Sequence, residues 1–380
     1  MKFVVSKKAF LEALKGAQPA VSRRSTLPIL SGMKLDVSAK HLTIEATDLE
    51  MAVATRITRD VRTSEPGTIV APAGALIKAV GALPDEGIEV GSEQHDGRTR
   101  VTLRCGSRTV GVQGFAAEDW PRTRTDSASD LVATADARSL ADALGRVVLC
   151  ASKDEARPVL TGVALFFDRK KTGMDLVATD SYRLGAARVQ LQNRGEIPER
   201  PVIIPARTAS ALAKRLRKVR GTVEIHVDVD EHAGTFAAFT FADEKWSVRT
   251  IEGQFPDWRQ ILGESGGATL EFDAGEMAST LKAMAAVRSN GSPVRLSLGE
   301  RCTVSLSEKD VGEVTESLGS ASYTADGVGA IDVAFNADYF GDAIRFIGSE
   351  RPAVRIRSAL KPAIFEHPDR RYALMPVRLS

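Results

Sequence analysis

The sequence has few cysteines, no long apolar run and no excess of one charge, and each of these absences excludes a class of protein. Its 380 residues include 3 cysteines, Cys105, Cys150 and Cys302, which lie far apart and form no CxxC pair. This spacing excludes a disulfide framework and a zinc site built on cysteine pairs. No apolar run approaches the roughly 20 residues that cross a bilayer, and the first residues lack the apolar stretch of a signal peptide. We therefore expect a soluble, cytoplasmic protein with no membrane partner.

The composition is that of a globular protein. Hydrophobic residues make up 43% and charged residues 26%, and 51 Lys and Arg against 49 Asp and Glu leave a net charge of +2. Such a balance does not by itself identify a nucleic-acid-binding protein, because the distribution of the charge decides binding. At roughly 100–200 residues per domain, the length indicates two to four domains.

An internal repeat is the most informative feature of the sequence. Three motifs each occur twice: P-x-L-[S/T]-G-x-x-L from Pro28 and Pro158, Ala-Thr-Asp from Ala46 and Ala178, and Pro-Ala from Pro72 and Pro205. The offsets are 130, 132 and 133 residues. Three matches at nearly one offset indicate a duplication.

A fainter third copy extends the repeat. Pro293 lies 135 residues after Pro158, and Asn336 lies 131 residues after Pro205. The stretches near residues 126–130 and 263–267 are polar or rich in Gly and Ser, which is typical of linkers. We predict three domains, residues 1–128, 129–265 and 266–380.

Each copy predicts the same order of elements. An amphipathic helix follows a short strand over Lys7–Ala17, 137–150 or 275–287. Strands with alternating polarity come next, such as residues 42–46 and 223–227. A second helix begins after Pro72, Pro205 or Asn336, since Pro and Asn suit a helix start. The pattern predicts an α+β repeat with helices on one face of a sheet.

Five segments, spread from one end of the chain to the other, have the motifs of a known family in the same order: residues 26–30, 46–51, 178–184, 253–258 and 375–379. They resemble the bacterial DNA polymerase III beta subunit, the sliding clamp. The resemblance implies three repeated clamp domains, each a pair of βαβββ units, with helices lining a central pore and sheets outside. It also implies a head-to-tail homodimer that closes into a ring around double-stranded DNA. Such a ring slides without sequence specificity and is a processivity factor, a non-catalytic subunit of the polymerase holoenzyme.

A pore of this kind needs basic side chains that contact phosphates without reading bases. The helix predicted after Pro205 supplies Arg207, Lys214, Arg215, Arg217 and Lys218, and the first copy adds Lys7, Lys8, Lys15 and Arg23. In the family's pattern Arg24 lies in a DNA-contacting loop, and Lys153 and Arg157 lie in another. For any one of these residues, a solvated helix face is the alternative interpretation. Gly74 stands where many family members have a basic residue.

The resemblance implies a cleft between the second and third domains that receives a short, mostly hydrophobic peptide. Its walls would be Leu160, Thr179, Ser181, Leu184, Pro256 and Ile261, completed by Ala373, Leu374, Met375, Pro376, Val377 and Arg378. Its rim would be Arg157, Tyr182, Arg183, Asn336, Tyr339 and Pro362. Leu, Ile, Pro and Met suit Leu or Phe anchors, although the same residue types also describe an ordinary core.

The implied partners of this cleft are the DNA polymerase III alpha subunit, the clamp loader, other polymerases and repair proteins. Two departures from the family concern its shape. Ser181 stands where the family often has Gly, and Ala373 stands where a larger apolar residue is common. We therefore expect the pocket to prefer somewhat different anchors.

The implied ring interface joins an edge of domain one to domain three. The matching positions are Val110 and Val112 on a strand, and Val287 and Arg288 at a helix end. Family members often have two apolar residues at the latter pair. Arg288 therefore weakens the expected contact unless an acidic partner on domain one compensates.

Three patterns suggest an enzyme instead. Residues 263–267 match the G-x-S-x-G elbow, but a strand rather than a helix is predicted to follow. His226, Asp228 and Asp230 share one strand face, as metal ligands or simply as a polar outer face. Asp48 and Asp180 in the repeated Ala-Thr-Asp fit a turn better than paired catalytic carboxylates.

No phosphate-binding glycine loop occurs in the sequence. We therefore predict no catalytic residue, no metal and no cofactor. One alternative within the same family stays open, namely a specialised clamp paralogue, drug-tolerant or encoded by a mobile element, in place of the main replicative clamp.

Overall fold

The computed structural model describes residues 1–22, 24–95, 98–125, 130–168, 172–193, 195–230, 234–263, 266–289, 292–308, 310–327 and 329–378. They divide into two compact units. Unit 1 comprises residues 1–138, 192–198 and 214–250, and unit 2 comprises residues 139–191, 199–213 and 251–380. None of the described helices is long and apolar enough to span a membrane.

The described residues form seven α-helices and 26 β-strands. The helices are α1 (Lys7–Ala17), α2 (Ala73–Ala82), α3 (Ala137–Val147), α4 (Ala206–Leu216), α5 (Trp258–Leu262), α6 (Ala274–Met284) and α7 (Ala337–Ile347). The first thirteen strands are β1 (Lys2–Ser6), β2 (Gly32–Val37), β3 (Leu42–Thr47), β4 (Met51–Ile57), β5 (Val61–Glu65), β6 (Gly67–Pro72), β7 (Gly87–His95), β8 (Arg98–Cys105), β9 (Arg108–Gln113), β10 (Asp130–Asp136), β11 (Gly162–Phe167), β12 (Gly173–Thr179) and β13 (Arg183–Asn193). The others are β14 (Val202–Pro205), β15 (Thr222–Asp230), β16 (Gly234–Phe241), β17 (Glu244–Arg249), β18 (Ala268–Glu271), β19 (Pro293–Leu298), β20 (Thr303–Glu308), β21 (Gly312–Ser317), β22 (Ser322–Thr324), β23 (Ile331–Asn336), β24 (Ala353–Ile356), β25 (Ala363–His367) and β26 (Arg370–Leu374).

Unit 1 contains two antiparallel arrays of strands. One has the order β5-β1-β7-β8-β9. The other runs β10-β15-β16-β17-β4-β3-β2-β6. The core of unit 1 includes the fully buried Trp246 and the edge-to-face pair Phe3 and Phe10.

Unit 2 repeats this arrangement. One array runs β14-β11-β12-β13-β26-β25-β24-β18-β22. The other has the order β21-β20-β19-β23. Phe340 of α7 packs against Phe272, Phe335 and Phe365, so aromatic rings fill the core of the last third of the chain.

The repeat seen in the sequence is a repeat of strand pairing. β6-β2-β3-β4 in the first copy corresponds to β14-β11-β12-β13 in the second and to β23-β19-β20-β21 in the third. β4 then pairs with β17, placing Ala52 opposite Ser247, and β13 pairs with β26, placing Leu184 opposite Ala373. β17, the last strand of the second copy, therefore completes the sheet of the first copy, and β26, the last strand of the third copy, completes the sheet of the second.

The predicted helices agree closely with the structure. α1 has the predicted bounds because the Ser6 hydroxyl accepts a hydrogen bond from the Ala9 amide and caps it. The helix predicted over 137–150 ends as a 3-10 turn at Val148–Cys150. α5 was not predicted; Asp257 caps it, and it spans only five residues. The predicted linkers lie partly outside the described residues, at 126–129 and 264–265.

Candidate functional site: an apolar cleft and charged surfaces

A tight turn between β12 and β13 forms one wall of the candidate cleft in unit 2. One carboxylate oxygen of Asp180 accepts hydrogen bonds from the amides of Tyr182 at 3.0 Å and Arg183 at 2.9 Å. The Thr179 hydroxyl donates to the Arg183 carbonyl at 2.7 Å and accepts from the Ser181 amide at 3.1 Å. Ser181 has a φ of 77°, in the left-handed region. Ala-Thr-Asp is thus the signature of this turn.

The same turn occurs in unit 1 between β3 and β4. Asp48 accepts from the Met51 amide at 2.8 Å, and the Thr47 hydroxyl donates to the Met51 carbonyl at 3.0 Å. Leu49, at the position of Ser181, has a φ of 75°. Asp48 and Asp180 therefore hold backbone amides, which is the turn role predicted for them.

Apolar residues behind the turn in unit 2 form a buried floor. Leu160, Leu184 and Ala373 are almost fully buried. Leu184 and Ala373 belong to a cluster with Phe255 and Trp258. For these residues the structure agrees with the ordinary-core interpretation of their side chains, and Leu184 and Ala373 lie opposite each other on the neighbouring strands β13 and β26.

Four other apolar side chains predicted for the cleft are exposed. The exposed fraction is 64% for Tyr182 and 41% for Met375, and Ile261 and Val377 are exposed to a similar extent as Met375. The Met375 amide donates to the Tyr182 carbonyl at 2.9 Å, which fixes these two residues side by side. Adjacent exposed apolar side chains, such as Tyr182 and Met375, are typical of a protein-binding site.

The other residues predicted for the cleft lie around these. Pro256, Ser181, Arg157 and Arg378 are exposed, Thr179 and Leu374 are buried, and Pro362, Pro376, Asn336 and Tyr339 are half-buried. The Asn336 side chain caps α7 by accepting from the amides of Asp338 and Tyr339. Its predicted place at the rim is thus combined with a structural role.

Arg183 is the one charged residue of the predicted rim that is largely enclosed, with 11% of its side chain exposed. It pairs with Asp180 at 2.9 Å and with Asp342 of α7, and it stacks on the Tyr339 ring, 4.1 Å from the centroid. Burial alone would lower the pKa of the guanidinium, but the surrounding groups raise this pKa above its usual value.

Two neighbours of Arg183 were missed by sequence reasoning. Asp342 lies 159 residues away in the chain, and no motif joins the two. Tyr372 is fully buried, and its hydroxyl donates to the Tyr339 carbonyl at 3.1 Å. Burial raises the pKa of the Tyr372 hydroxyl and that of the nearby Cys150 thiol, so both groups are neutral at physiological pH.

Arg215 is already engaged within unit 1. Its Nε donates to Glu244 at 2.6 Å, and its guanidinium also lies 3.9 Å from Glu12. Glu244 is 5% exposed and accepts a further hydrogen bond from the Trp246 indole at 3.0 Å. Arg215 therefore neutralises a buried carboxylate, a role that the run of basic residues on α4 does not reveal.

Lys7 is half-buried and its amine donates to the Leu83 carbonyl, whereas the other predicted DNA-contacting residues that the structure describes are exposed. Arg207 and Lys214 lie on α4, Arg217 and Lys218 follow its end, and Arg24 and Lys153 lie in loops. Arg157 donates to the Ser181 hydroxyl at 3.1 Å and lies 4.0 Å from Asp154. The structure thus leaves these cations on the surface, while Arg23 lies outside the described residues.

The predicted interface residues lie at two sheet edges. Val110 is half-buried and Val112 is buried on β9, so the Val112 side chain packs within unit 1. Val287 lies beside Gly312 at the start of β21. Arg288 forms an ion pair with Asp338 of unit 2. Its charge is therefore balanced within its own unit rather than by an acidic residue of domain one.

The enzyme-like patterns gain no support from the described residues. The strand β18 follows the G-x-S-x-G sequence as predicted, and Ser265 itself lies outside the described residues, as does His232. Asp228 pairs with Arg124 at 2.8 Å. Within the described part of the chain, no cluster of three acidic, His or Cys side chains could hold a metal ion.

Comparisons with known proteins agree with this architecture. Models of the N-terminal and central domains of the DNA polymerase III beta subunit match residues 1–124 and 134–257. The chain is 26% identical to the Caulobacter vibrioides beta sliding clamp, with all of both chains covered. It is 25% identical to the clamp of Staphylococcus aureus, covering 96% of this chain and 95% of the relative.

Solved clamp structures share the fold. A Caulobacter crescentus clamp superposes with a TM-score of 0.90 at 25% identity, covering 100% of this chain and 99% of the other. The Bacillus subtilis clamp has a TM-score of 0.88 at 23% identity, with both chains fully covered. These findings confirm the resemblance drawn from the motifs, and the chain belongs to the family of bacterial DNA polymerase III beta subunits, the sliding clamps.

Proposed function

We propose that this chain is a processivity factor that forms a head-to-tail homodimeric ring around double-stranded DNA and slides without sequence specificity. Polymerase, clamp loader and repair proteins bind it through short peptides in the cleft of unit 2. The observation that carries this proposal is the exposed apolar pair of Tyr182 and Met375, joined by a backbone hydrogen bond and followed or preceded along their strands by the buried, paired residues Leu184 and Ala373.

The cleft suits a peptide with bulky apolar anchors. Covering apolar surface stabilises a complex by roughly 25 cal/mol per Å², and Met adapts to anchors of different shape. The small Ala373 side chain leaves more room over the floor than a larger residue would. A Leu or Phe anchor is therefore the expected occupant.

Fluorescence anisotropy with a labelled peptide that contains Leu and Phe anchors tests the cleft. Met375→Arg places a charge where the anchors would lie, and we expect it to weaken binding about tenfold or more, since each tenfold is about 1.4 kcal/mol. Leu49→Arg, on the matching turn of unit 1, is the control and leaves affinity unchanged. The proposal that this cleft binds peptides would be wrong if the wild-type chain bound no peptide, or if both variants lost affinity equally.

The proposed ring extends to two chains the strand pairing that joins the copies within one chain. β4 is completed by β17 and β13 by β26, but β21 in the third copy pairs with β20 and with no other described strand on its outer side. β9, the counterpart of β17 and β26, likewise pairs only with β8 among the described strands. An open edge is a template for strand addition. β9 of one chain is thus the natural partner of β21 of another.

The two open edges carry opposite charges. Arg108 is exposed on β9, whereas Glu313 is exposed and Glu316 half-buried on β21. Complementary charge favours this pairing over the pairing of two identical edges. Two such contacts related by a twofold axis close a ring.

Light scattering tests the ring at low micromolar protein and moderate salt. We expect a mass near twice the 40.8 kDa of the chain. A monomer at every accessible concentration would overturn the closed ring while leaving the peptide cleft intact. High salt should promote dissociation, because it screens the facing charges.

DNA contact is assigned to the exposed cations Arg24, Lys153, Arg157, Arg207, Lys214, Arg217 and Lys218. Arg215 is left out of this set because Glu244 holds it. Since a closed ring prevents release topologically, weak phosphate contacts suffice, and they depend steeply on salt. Replacement of a resident clamp by this chain in cells tests the replicative role, and failure to replace it favours the specialised paralogue.

A further inference from the structure

Asp342 is an acidic residue near the middle of α7 that two arginines bind. Arg183, from the turn of the cleft, and Arg345, one turn along the same helix, each donate to one of its carboxylate oxygens. The Asp342 side chain is mostly buried, and the Arg183 side chain is more so. This pair therefore links α7 to the wall of the cleft.

Further contacts of the same residues extend this link to the last strand. The Arg183 guanidinium lies over the Tyr339 ring, and the Tyr339 carbonyl accepts the hydroxyl of Tyr372 on β26. The strand continues directly into Met375, whose amide is bound to the Tyr182 carbonyl. α7, the turn and β26 are thus joined around Arg183, directly below the exposed apolar rim.

The matching turn in unit 1 cannot form the same ion pair at the position of Arg183. The position of Arg183 is occupied there by Met51, which is apolar and buried. The turn itself needs only the Asp and Thr side chains, since it forms in both copies. The charged link therefore adds something beyond the formation of the turn.

We propose that Asp342 is a positioning residue for the peptide cleft: through Arg183 it holds the turn of residues 179–183 in the conformation that presents Tyr182 beside Met375. A peptide binds this turn without first having to order it, which lowers the entropic cost of binding. The inference rests on the proposed peptide cleft and assigns a role to a residue that lies below the rim.

The test compares Asp342→Ala with Asp142→Ala. Asp142, on α3, is also bound by two arginines, Arg146 at 2.9 Å and Arg370 at 3.3 Å, but it has no contact with the turn among those described. We expect Asp342→Ala to weaken the binding of the labelled peptide about three- to thirty-fold. Asp142→Ala leaves the affinity at the wild-type value.

Hydrogen exchange separates positioning from a general loss of structure. In Asp342→Ala the amides of Tyr182 and Arg183 exchange faster, while those of β11 and β24 keep their protection. If this variant does not fold, Asp342→Asn, which keeps the shape and loses the charge, replaces it. Asp342→Glu restores most of the affinity.

The outcomes distinguish the two claims. If the wild-type chain binds no peptide, the cleft itself fails and the inference fails with it. If the wild type binds and the Asp342 variants bind equally tightly, only the inference is overturned. Equal losses in the Asp342 and Asp142 variants would also overturn it, because they would show a general effect on unit 2.

Discussion

The two Ala-Thr-Asp turns of this chain have one backbone and two different surfaces. In unit 1 the turn carries Glu50, which lies 3.9 Å from Arg249. In unit 2 the same two positions are Tyr182 and Met375, and the same hydrogen bond joins them, from the Arg249 amide to the Glu50 carbonyl or from the Met375 amide to the Tyr182 carbonyl. The backbone geometry is therefore the same in both copies, while the side chains differ: unit 1 exposes Leu49 beside the charged Glu50, and unit 2 exposes the apolar pair Tyr182 and Met375.

The opposite end of each junction shows a second exchange of side chains. Glu244 of β17 and Arg370 of β26 occupy equivalent positions, opposite Thr55 and Ala187. Glu244 is buried and paired with Arg215, whereas Arg370 pairs with Asp142, which is 52% exposed. The same position thus holds a mostly buried anion in one copy and a mostly buried cation in the other, and of their two partners only Asp142 is largely exposed.

The largest effect on stability is expected from a substitution that breaks the buried ion pair of unit 1. Arg215→Ala leaves the Glu244 carboxylate buried without its cation and should cost about 3–5 kcal/mol of stability. Arg217→Ala, exposed just after the same helix, is the control and should stay within about 0.5 kcal/mol. The midpoint of urea unfolding measures both. Equal midpoints for the two variants would show that Arg215 is no more structural than its neighbours.

A smaller effect tests whether the two turns are equally strained. A left-handed φ costs a residue with a side chain about 1–2 kcal/mol of stability. Replacement by glycine removes this cost, but the flexibility of glycine in the unfolded chain offsets about half of the gain. Leu49→Gly and Ser181→Gly should each stabilise the chain by about 0.5–1 kcal/mol, because their φ values are 75° and 77°.

Thermal unfolding measures this gain, and Leu49→Ala, which keeps a Cβ, should show none of it. A gain at only one of the two turns would contradict the identity of their backbones.

The smallest effect concerns His367, whose place in unit 1 is taken by Phe241. Burial, with Arg370 and Arg146 nearby, lowers the pKa of His367. The stability linked to this depressed pKa is present above the unfolded value of about 6.5 and is lost as pH falls through the folded value.

The variant His367→Phe should therefore lose slightly less stability than the wild type below about pH 6.5. The difference should stay under about 0.5 kcal/mol, because the ring is partly exposed. Melting temperatures at pH 8 and pH 5 measure it. A variant with an unchanged pH dependence would contradict this assignment.

The sequence alone was enough to predict features that depend on neighbouring residues or on the repeat. α1 was predicted from its apolar spacing, and the role of Asp48 and Asp180 from their occurrence in both copies. The five-residue helix α5 was missed because it is too short to show a period.

Features that depend on distant residues could not be predicted in this way. The pairing of Arg215 with Glu244 spans 29 residues, and that of Arg183 with Asp342 spans 159. Neither leaves a local pattern, so a run of basic residues on α4 looked uniform although one member is held inside the unit. The family resemblance predicted which residues would line the proposed cleft, and only the structure shows which of them are buried and which are exposed.

The completion of each sheet by the last strand of the next copy has a consequence for mechanical strength. The joints β4 with β17 and β13 with β26 lie within one chain, so each re-forms at a high effective concentration after any opening. A joint of β9 with β21 between two chains has no covalent tether, so after it opens only the other joint of the ring keeps the two chains together. If the ring is built this way, its seams are these two joints, and a duplex without free ends enters where one of them parts.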